Sequence, residues 1–179
     1  MTRIVGIDYS LSCPAICVLE NDIFNFHYLT SKKKLIGKFK TNNDRFTIQG
    51  WQHEDYYNSE DRFDKISNWS MSLLQEGDLV NIEGYAFAAA GLVFQIAENC
   101  GILKHKLYKA GIKYQITPPS ASKKLATGKG SAKKELMCGA FVEQTGFDIF
   151  KVYGTDKSTS PINDMVDAYF LCKFIHNHQ

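Results

Sequence analysis

Four acidic residues stand where carboxylates could carry chemistry. Asp8 closes the hydrophobic run RIVGID, and Glu83 closes LVNIE. Asp164 and Asp167 lie at i and i+3 in PINDMVDAYF, a spacing that places both on one face of a helix. Carboxylates on a half-buried apolar face are unfavourable unless a cation offsets their charge. Oxygen ligands suit Mg²⁺, and two such ions about 3.5–4 Å apart can direct water at a phosphodiester.

Each of these acids also has an ordinary structural interpretation. Asp8 or Glu83, taken alone, is usually a turn former or a helix cap after a strand. Asp164 could simply favour the dipole near the start of its helix. Asp167 is flanked by apolar residues and is harder to explain in this way. The order strand-Asp, strand-Glu, helix-Asp-x-x-Asp is therefore far more specific than any single member.

Lysines are concentrated in one block of the chain. Nine lysines and no acidic residue lie between positions 99 and 134, which gives this block a charge of +9. The other residues include 12 basic and 19 acidic side chains, a charge of −7. The net charge of +2 therefore conceals a separation of positive from negative charge along the chain. Such a separation predicts one surface for phosphates and leaves carboxylates for a site elsewhere.

The centre of the basic block has features of a phosphate-binding surface. In PPSASKKLATGKGSAKKE, two lysine pairs flank a GKGS turn that precedes a predicted helix. Free backbone amides at such a turn, with lysines around them, bind phosphates without reading bases. The competing interpretation is a solvated helix face. The candidate DNA-binding lysines are Lys123, Lys124, Lys129, Lys133 and Lys134.

Composition and motifs exclude or disfavour several classes of protein. No apolar run approaches the roughly 18–20 residues of a membrane span, and the N-terminus lacks the pattern of a signal peptide. Five cysteines without a CxxC pair disfavour disulfides and structural zinc and fit a reducing cytoplasm. A P-loop is excluded because Lys123 stands where its first glycine belongs and Gly130 follows Lys129. Nothing supports a Ser/His/Asp or Cys/His catalytic arrangement.

The elements that must position these residues form an α/β pattern. Apolar runs predict five strands, at residues 3–8, 14–20, 23–29, 79–83 and 112–117. Apolar spacing predicts helices at 61–75 and 91–109. Three more are predicted: a short helix after Pro118-Pro119, a helix capped by Ser131 that runs to about 145, and a last helix opened by Ser160-Pro161. Residues 30–60 are predicted to be an insertion or a long loop. Its lysines and its Trp51, Tyr56 and Tyr57 would suit DNA contact, dimer contact or a packed loop.

The segments GIDYS, IEGYAF, KKLATGKGSAKK and the final D-x-x-D-A helix resemble the RuvC-type Holliday junction resolvases, particularly the shorter versions encoded by bacteriophages. The resemblance covers residues 3–20 and about 78–175, and it does not explain the insertion. It implies a ribonuclease H-like fold, with a mixed five-stranded sheet flanked by helices, in a single domain of residues 1–179. It also implies a homodimer with two active sites, acting in the host cytoplasm if the protein is phage-encoded.

The resemblance also assigns roles to individual residues. Asp8, Glu83, Asp164 and Asp167 match the four metal-binding acids, which implies two Mg²⁺ or Mn²⁺ ions and cleavage that leaves a 5′-phosphate. Lys123 and Lys134 match basic positions that contact the DNA backbone, with Lys134 near the cleaved phosphate. An aromatic residue after the glutamate would probe the junction, and the spacing does not decide between Tyr85 and Phe87.

The function predicted from the sequence is a metal-dependent endonuclease that resolves four-way junctions and other branched DNA. Alternatives within the same superfamily are a ribonuclease H acting on RNA–DNA hybrids and a flap or branch nuclease. A DNA-binding module with an inactive nuclease centre is a third possibility, although the complete set of acids argues against it. An actin-like ATP-binding protein is disfavoured by the short chain and by the helical acid pair.

Overall fold

A computed structural model describes residues 2–85 and 92–177, and within these ranges seven strands form one mixed sheet. The spatial order of the strands is β4-β5-β3-β2-β1-β6-β7. Their bounds are β1 (Ile4–Asp8), β2 (Ala15–Glu20), β3 (Ile23–Thr30), β4 (Gly37–Phe39), β5 (Phe46–Gln52), β6 (Leu79–Glu83) and β7 (Tyr114–Thr117).

The strand directions gather several strand ends at one edge of the sheet. β2 runs antiparallel to both β1 and β3, so β1 and β3 point the same way. β6 is parallel to β1, β7 is parallel to β6, and β5 is parallel to β3. Five strands therefore end at the same edge, which we call the carboxyl edge. β4 is antiparallel to β5 and begins there instead.

Six α-helices cover the two faces of the sheet in the described ranges. They are α1 (Ser59–Ser72), α2 (Val93–Lys109), α3 (Pro119–Thr127), α4 (Lys134–Thr145), α5 (Ile149–Tyr153) and α6 (Ile162–His176). α1 and α2 pack on one face, where Ile66, Leu103 and Leu107 meet side chains of β1 and β6. The other four helices cover the opposite face with an aromatic core that includes Phe141. None of the helices described is both long and apolar enough to cross a bilayer.

The α/β class and all five predicted strands are confirmed, but the sheet has seven strands instead of five. The two additional strands, β4 and β5, lie in the segment predicted as an insertion or loop. β5 alternates in burial, with Phe46, Ile48 and Gly50 buried, so it is a half-buried strand. The prediction that Ser131 caps a helix was wrong. α4 begins at Lys134, after a turn closed by the Ala132 amide bonding to the Lys129 carbonyl, 3.1 Å.

α6 packs directly on β1 because one position in that strand carries no side chain. A Cβ atom built on Gly6 would overlap the carbonyl oxygen of Ala168 and the backbone nitrogen of Cys172. Cys172 also places its thiol 3.4 Å from the Ile4 carbonyl oxygen. Gly6 therefore sets how closely α6, which carries Asp164 and Asp167, approaches the strand that carries Asp8.

Gly6→Ala is expected to lower the free energy of unfolding by roughly 3 kcal/mol, because neither backbone can move away without disturbing the core. Chemical denaturation measures this change. Gly139→Ala is the matched control, since that glycine lies within α4 with nothing within 4 Å of its added Cβ. There alanine should stabilise the protein by up to about 1 kcal/mol. Equal effects of the two substitutions would contradict the close approach at Gly6.

Candidate active site

The two strand-end acids are neighbours at the carboxyl edge. β1 and β6 pair in parallel, with Ile7 opposite Ile82, so Asp8 and Glu83 follow each other across adjacent strands. α6 crosses this face and brings Asp164 in its first turn and Asp167 one turn later. The structure therefore gathers all four acids at the end of the β1–β6 pair.

Burial and mutual repulsion hold the strand-end acids toward their protonated forms. Burial raises the pKa of Asp8 well above its usual value, and the charges of Glu83, Asp164 and Asp167 raise it further. The pKa of Glu83 rises to about 7, again mainly through burial, with further contributions from Asp167 and Asp164. These shifts show that the four carboxyl groups lie within electrostatic reach of one another.

The helical pair behaves in the same way. Burial raises the pKa of Asp167 to about 6, and the neighbouring Asp164 charge adds to the shift. Burial also raises the pKa of Asp164, while Ser160, Lys134 and Cys13 oppose the rise. One oxygen of Asp164, Oδ2, is buried without a hydrogen-bond partner among the described residues. An orphaned carboxylate oxygen in a cluster of like charges is a costly arrangement without a cation.

Two lysines of the basic block lie beside this cluster. The positive charge of Lys134 lowers the pKa of all four acids, and that of Lys123 lowers the pKa of Glu83 and Asp167. Lys123 is half-buried on α3, whereas Lys134 is exposed at the start of α4. Both residues are thus placed where a phosphate approaching the carboxylates would meet them.

The donor set fits a divalent cation by its chemistry. It consists of carboxylate oxygens, which Mg²⁺ and Mn²⁺ prefer, and their unfavourable charge is what a cation would offset. Over residues 2–85 and 92–177, no group of three or more His, Cys, Asp or Glu side chains has the arrangement of a formed metal site. Among the described residues, the four acids are therefore close enough to interact, but their oxygens are not arranged as the ligands of a bound ion.

A cleft of about 270 Å³ opens beside Asp8 and Glu83, between the loop after β1 and the start of α2. Tyr85 lines this cleft, and the Lys104 Nζ lies 5.1 Å from the centre of its ring. Of the two aromatic residues that the sequence proposed for probing a junction, Tyr85 therefore lies next to the acids. Phe87, the other candidate for probing a junction, lies outside the described residues.

The remaining predicted lysines lie further from the acids, on the surface. Lys124 is exposed on α3. Lys129 and Lys133 line an open depression of about 540 Å³ with Ser131 and Glu135. The structure thus divides the candidate lysines into a pair at the carboxylates and a group along the α3–α4 turn.

Sequence reasoning missed two polar neighbours of Asp164. Cys13 is buried, and its thiol lies beside the Asp164 carboxyl group. Ser160 approaches the same carboxyl group from the residues before α6. Local sequence gives no signal for Cys13, since its closeness arises from the packing of α6 on the sheet. Ser160, four residues before Asp164, could have been suspected as a neighbour within one helical turn.

A buried network fixes α6 against the strand that carries Glu83. The Asn81 side chain donates to the Leu171 carbonyl, 2.8 Å, and accepts from the Thr117 hydroxyl, 2.8 Å. These bonds join β6, β7 and α6 in the core, so Asp167 and Glu83 are held on elements that cannot shift independently.

The raised pKa values predict how stability depends on pH. Glu83 has a usual pKa of 4.5 and a folded pKa of about 7, so the folded state binds this proton more tightly than the unfolded chain does. The corresponding stability is complete below pH 4.5 and is lost as the pH rises through about 7. In EDTA we therefore expect the melting temperature to fall across this window, and Mg²⁺ to raise it more at about pH 8 than at about pH 5.

Thermal unfolding of Glu83→Gln checks this assignment. The variant should show a flatter pH profile and a smaller gain from Mg²⁺, because the titrating carboxyl group is gone. Glu98→Gln, which alters an exposed acid on α2, should behave like the wild type. A melting temperature in EDTA that rises steadily over the same window would contradict the raised pKa values.

The chain thus combines a mixed sheet, acids at two adjacent strand ends and an acid pair on the last helix. No protein-family model and no curated protein sequence matches the chain. Solved structures do match it, and they include RuvC of Thermus thermophilus and a yeast mitochondrial Holliday junction resolvase.

Thermus thermophilus RuvC matches with a TM-score of 0.60 and 14% identity, over 99% of this chain and 96% of that one. The same organism's RuvC in complex with a Holliday junction substrate matches with a TM-score of 0.61, 12% identity and the same coverage, 99% and 96%. The yeast mitochondrial resolvase Ydc2 matches with a TM-score of 0.54 and 13% identity, over 96% of this chain and 76% of that one. The chain therefore has the ribonuclease H-like fold of the RuvC-type resolvases, as the sequence predicted.

Proposed function

We propose that this protein is a divalent-metal-dependent endodeoxyribonuclease that resolves four-way junctions and other branched DNA. The observation that carries the proposal is the gathering of Asp8, Glu83, Asp164 and Asp167 in one cluster, with Lys123 and Lys134 beside it. The fold shared with RuvC supports it, and one of the matching RuvC structures contains a Holliday junction substrate.

The four carboxylates would hold two Mg²⁺ ions, for which Mn²⁺ could substitute. When bound, such a pair supplies activation of water and stabilisation of the leaving oxygen, and the product would carry a 5′-phosphate. Lys134, which lies within reach of all four acids, holds the phosphate to be cleaved, and Lys123 holds the same strand on the Glu83 side. Asp8 and Asp164 are buried, whereas Glu83 and Asp167 are half-buried, and partial removal from water strengthens these charge interactions.

The wider basic surface positions the duplex. Lys124, Lys129 and Lys133 are exposed around the α3–α4 turn, where they can follow a phosphate backbone without reading bases. Tyr85 lines the cleft next to the acids and is suited to stack on a base at the branch point, with Phe87 close behind it in sequence.

Symmetric resolution of a junction requires two cuts and therefore two active sites. We propose that the whole chain acts as one nuclease domain in a homodimer. The start of α2 presents large exposed apolar side chains, with Leu92 52% and Phe94 78% exposed. Exposed side chains of this size favour an interface between protein chains over contact with water. Sedimentation of the purified protein tests the dimer directly.

A cleavage assay tests the proposed function. The protein is incubated with a labelled four-way junction, a linear duplex, a flap and an RNA–DNA hybrid, in Mg²⁺ or EDTA, beside Asp8→Asn. We expect paired symmetric nicks in the junction, only with metal and only in the wild type. Cleavage confined to the hybrid would identify a ribonuclease H, and cleavage confined to the flap a flap nuclease. Binding without metal-dependent cleavage of any substrate would identify an inactive DNA-binding module.

A further inference from the structure

The segment between β3 and β5 carries a second concentration of positive charge. Residues 23–43 include five lysines and no Asp or Glu. Lys32, Lys33 and Lys34 are consecutive and exposed, and they lie at a short 3-10 helix, Lys33–Leu35. We call these three residues the lysine turn. Across the described ranges, no ion pair joins any of the three to a carboxylate.

The sheet topology places the lysine turn at the same edge as the acids. β3 runs parallel to β1 and ends at Thr30, so the chain emerges at the carboxyl edge just before Lys32. Asp8 pairs with Ala15, and Ala15 pairs with Tyr28, which puts β3 two strands away from β1. At the usual strand spacing, the lysine turn begins roughly 10 Å from Asp8 along the edge.

Electrostatic contacts agree with this position. Cys13 lies between the two groups, because its thiol responds both to the carboxylates of Asp164 and Asp8 and to the charge of Lys32. Lys123, in contrast, responds to Glu83 and lies on the side of β6 and β7. The acid cluster is therefore flanked by cations on both sides along the carboxyl edge.

The lysine turn is held firmly by the elements around it. The Lys32 amide donates to the Thr30 hydroxyl, 3.1 Å, and the Leu35 carbonyl accepts from the Tyr28 hydroxyl, 2.8 Å. Gly50 leaves room for this approach, since a Cβ atom there would overlap the Leu35 carbonyl oxygen. The backbone that carries the three lysines is therefore anchored at both ends of the turn, so the lysines project from a defined surface.

We propose that the lysine turn is a second phosphate-binding surface, which holds the DNA backbone on the side of the acid cluster opposite to Lys123. This inference rests on the proposed function, because it assigns the ligand of the same site. We assign the phosphate backbone as the ligand because the turn presents only positively charged side chains, which bind phosphates without reading bases. One strand advances 3.4 Å per phosphate along the duplex axis, so a 10 Å offset corresponds to roughly three nucleotides from the cut.

The test compares two triple variants that remove the same charge from the same segment. Lys32→Gln, Lys33→Gln and Lys34→Gln together remove the lysine turn. The control, Lys38→Gln, Lys40→Gln and Arg45→Gln, removes charges in the middle of β4 and toward the opposite edge of the sheet. Junction affinity is measured in EDTA over a series of salt concentrations, with circular dichroism to check folding.

We expect the lysine-turn variant to bind the junction at least 10-fold more weakly at about 0.1 M salt. The slope of log affinity against log salt concentration, the salt slope, should become less steep by about two to three. The control should stay within about 2-fold, since its charges lie in the middle of β4 and toward the opposite edge of the sheet, away from the proposed contact. A neutral methylphosphonate placed about three nucleotides from the cut should weaken binding by the wild type and have little further effect on the lysine-turn variant.

Two failures are distinguishable in this design. A wild type that cuts junctions, together with a lysine-turn variant whose salt slope is unchanged or equal to that of the control, overturns the second surface and leaves the nuclease assignment standing. A wild type that binds no DNA overturns both proposals. A methylphosphonate effect of the same size in both proteins also overturns the second surface, because the two changes would then act independently.

Discussion

Asp167→Asn is expected to abolish cleavage of a four-way junction while leaving junction binding intact. The substitution keeps the size of the side chain and removes one charge from the acid cluster. If Asp167 is a metal ligand as proposed, its loss would remove several kcal/mol of transition-state stabilisation, which corresponds to a fall in rate of about 10³-fold or more. Because burial and Asp164 already raise the pKa of Asp167 to about 6, the variant should be at least as stable as the wild type in EDTA.

Stability and activity together separate a catalytic role from a structural one. Thermal unfolding in EDTA and in Mg²⁺, beside single-turnover cleavage, gives both readouts. Asp22→Asn is a matched control, because Asp22 is exposed in the β2–β3 turn at the opposite edge and asparagine tolerates its φ of 63°. Should Asp167→Asn lose binding and melt at a lower temperature, Asp167 would be a structural residue and the proposed site would be wrong.

The strands that carry the acids could be predicted because their sequences follow the local rules closely. RIVGID and LVNIE are short apolar runs bounded by polar residues, as expected for strands buried on both faces. The structure places these strands at Ile4–Asp8 and Leu79–Glu83. The turn at Asn21-Asp22 was equally predictable, since both residues have positive φ, 50° and 63°, as a tight hairpin requires.

β4 and β5 were missed because their pairing depends on contacts distant in sequence. β4 has only three residues, and lysines stand on both sides of Phe39. Phe39 of this strand packs against Tyr153, which lies far along the chain, with the ring centres 5.0 Å apart and the rings tilted by 39°. The alternation of Phe46, Ile48 and Gly50 was a usable signal for β5, although glycine weakens a strand pattern in isolation.

The residues of the candidate site also divide into those that the sequence could place and those that only the packing brings together. The sequence order placed Asp8 and Glu83 at strand ends, and parallel pairing of two adjacent strands is enough to bring them together. The closeness of Lys134 to all four acids follows instead from the packing of α4 and α3 against α6. No local pattern encodes that packing, so only the resemblance to a family suggested it. The catalytic roles of these residues stay predictions.

Replacing Lys123 and Lys134 together by glutamine is expected to weaken junction binding by 10-fold or more and to reduce the salt slope by about two. Both lysines lie at the acid cluster, so their loss would remove the proposed phosphate contacts at the cut. A second effect follows from charge. Lys134 lowers the pKa of all four acids, and Lys123 that of Glu83 and Asp167, so these pKa values should rise further in the variant. Cleavage should then require a higher pH or more Mg²⁺.

The control is Lys109→Gln with Lys113→Gln, which removes two charges from the same basic block. Lys109 ends α2 and Lys113 precedes β7, at the edge of the sheet opposite the acids. Its salt slope and pH profile should match those of the wild type. Because the net charge of both variants is the same, a general loss of attraction would affect them equally. An equal effect would show that the block acts only by its total charge, whereas an effect confined to Lys123 and Lys134 would place the cleaved phosphate between these lysines and the carboxylates.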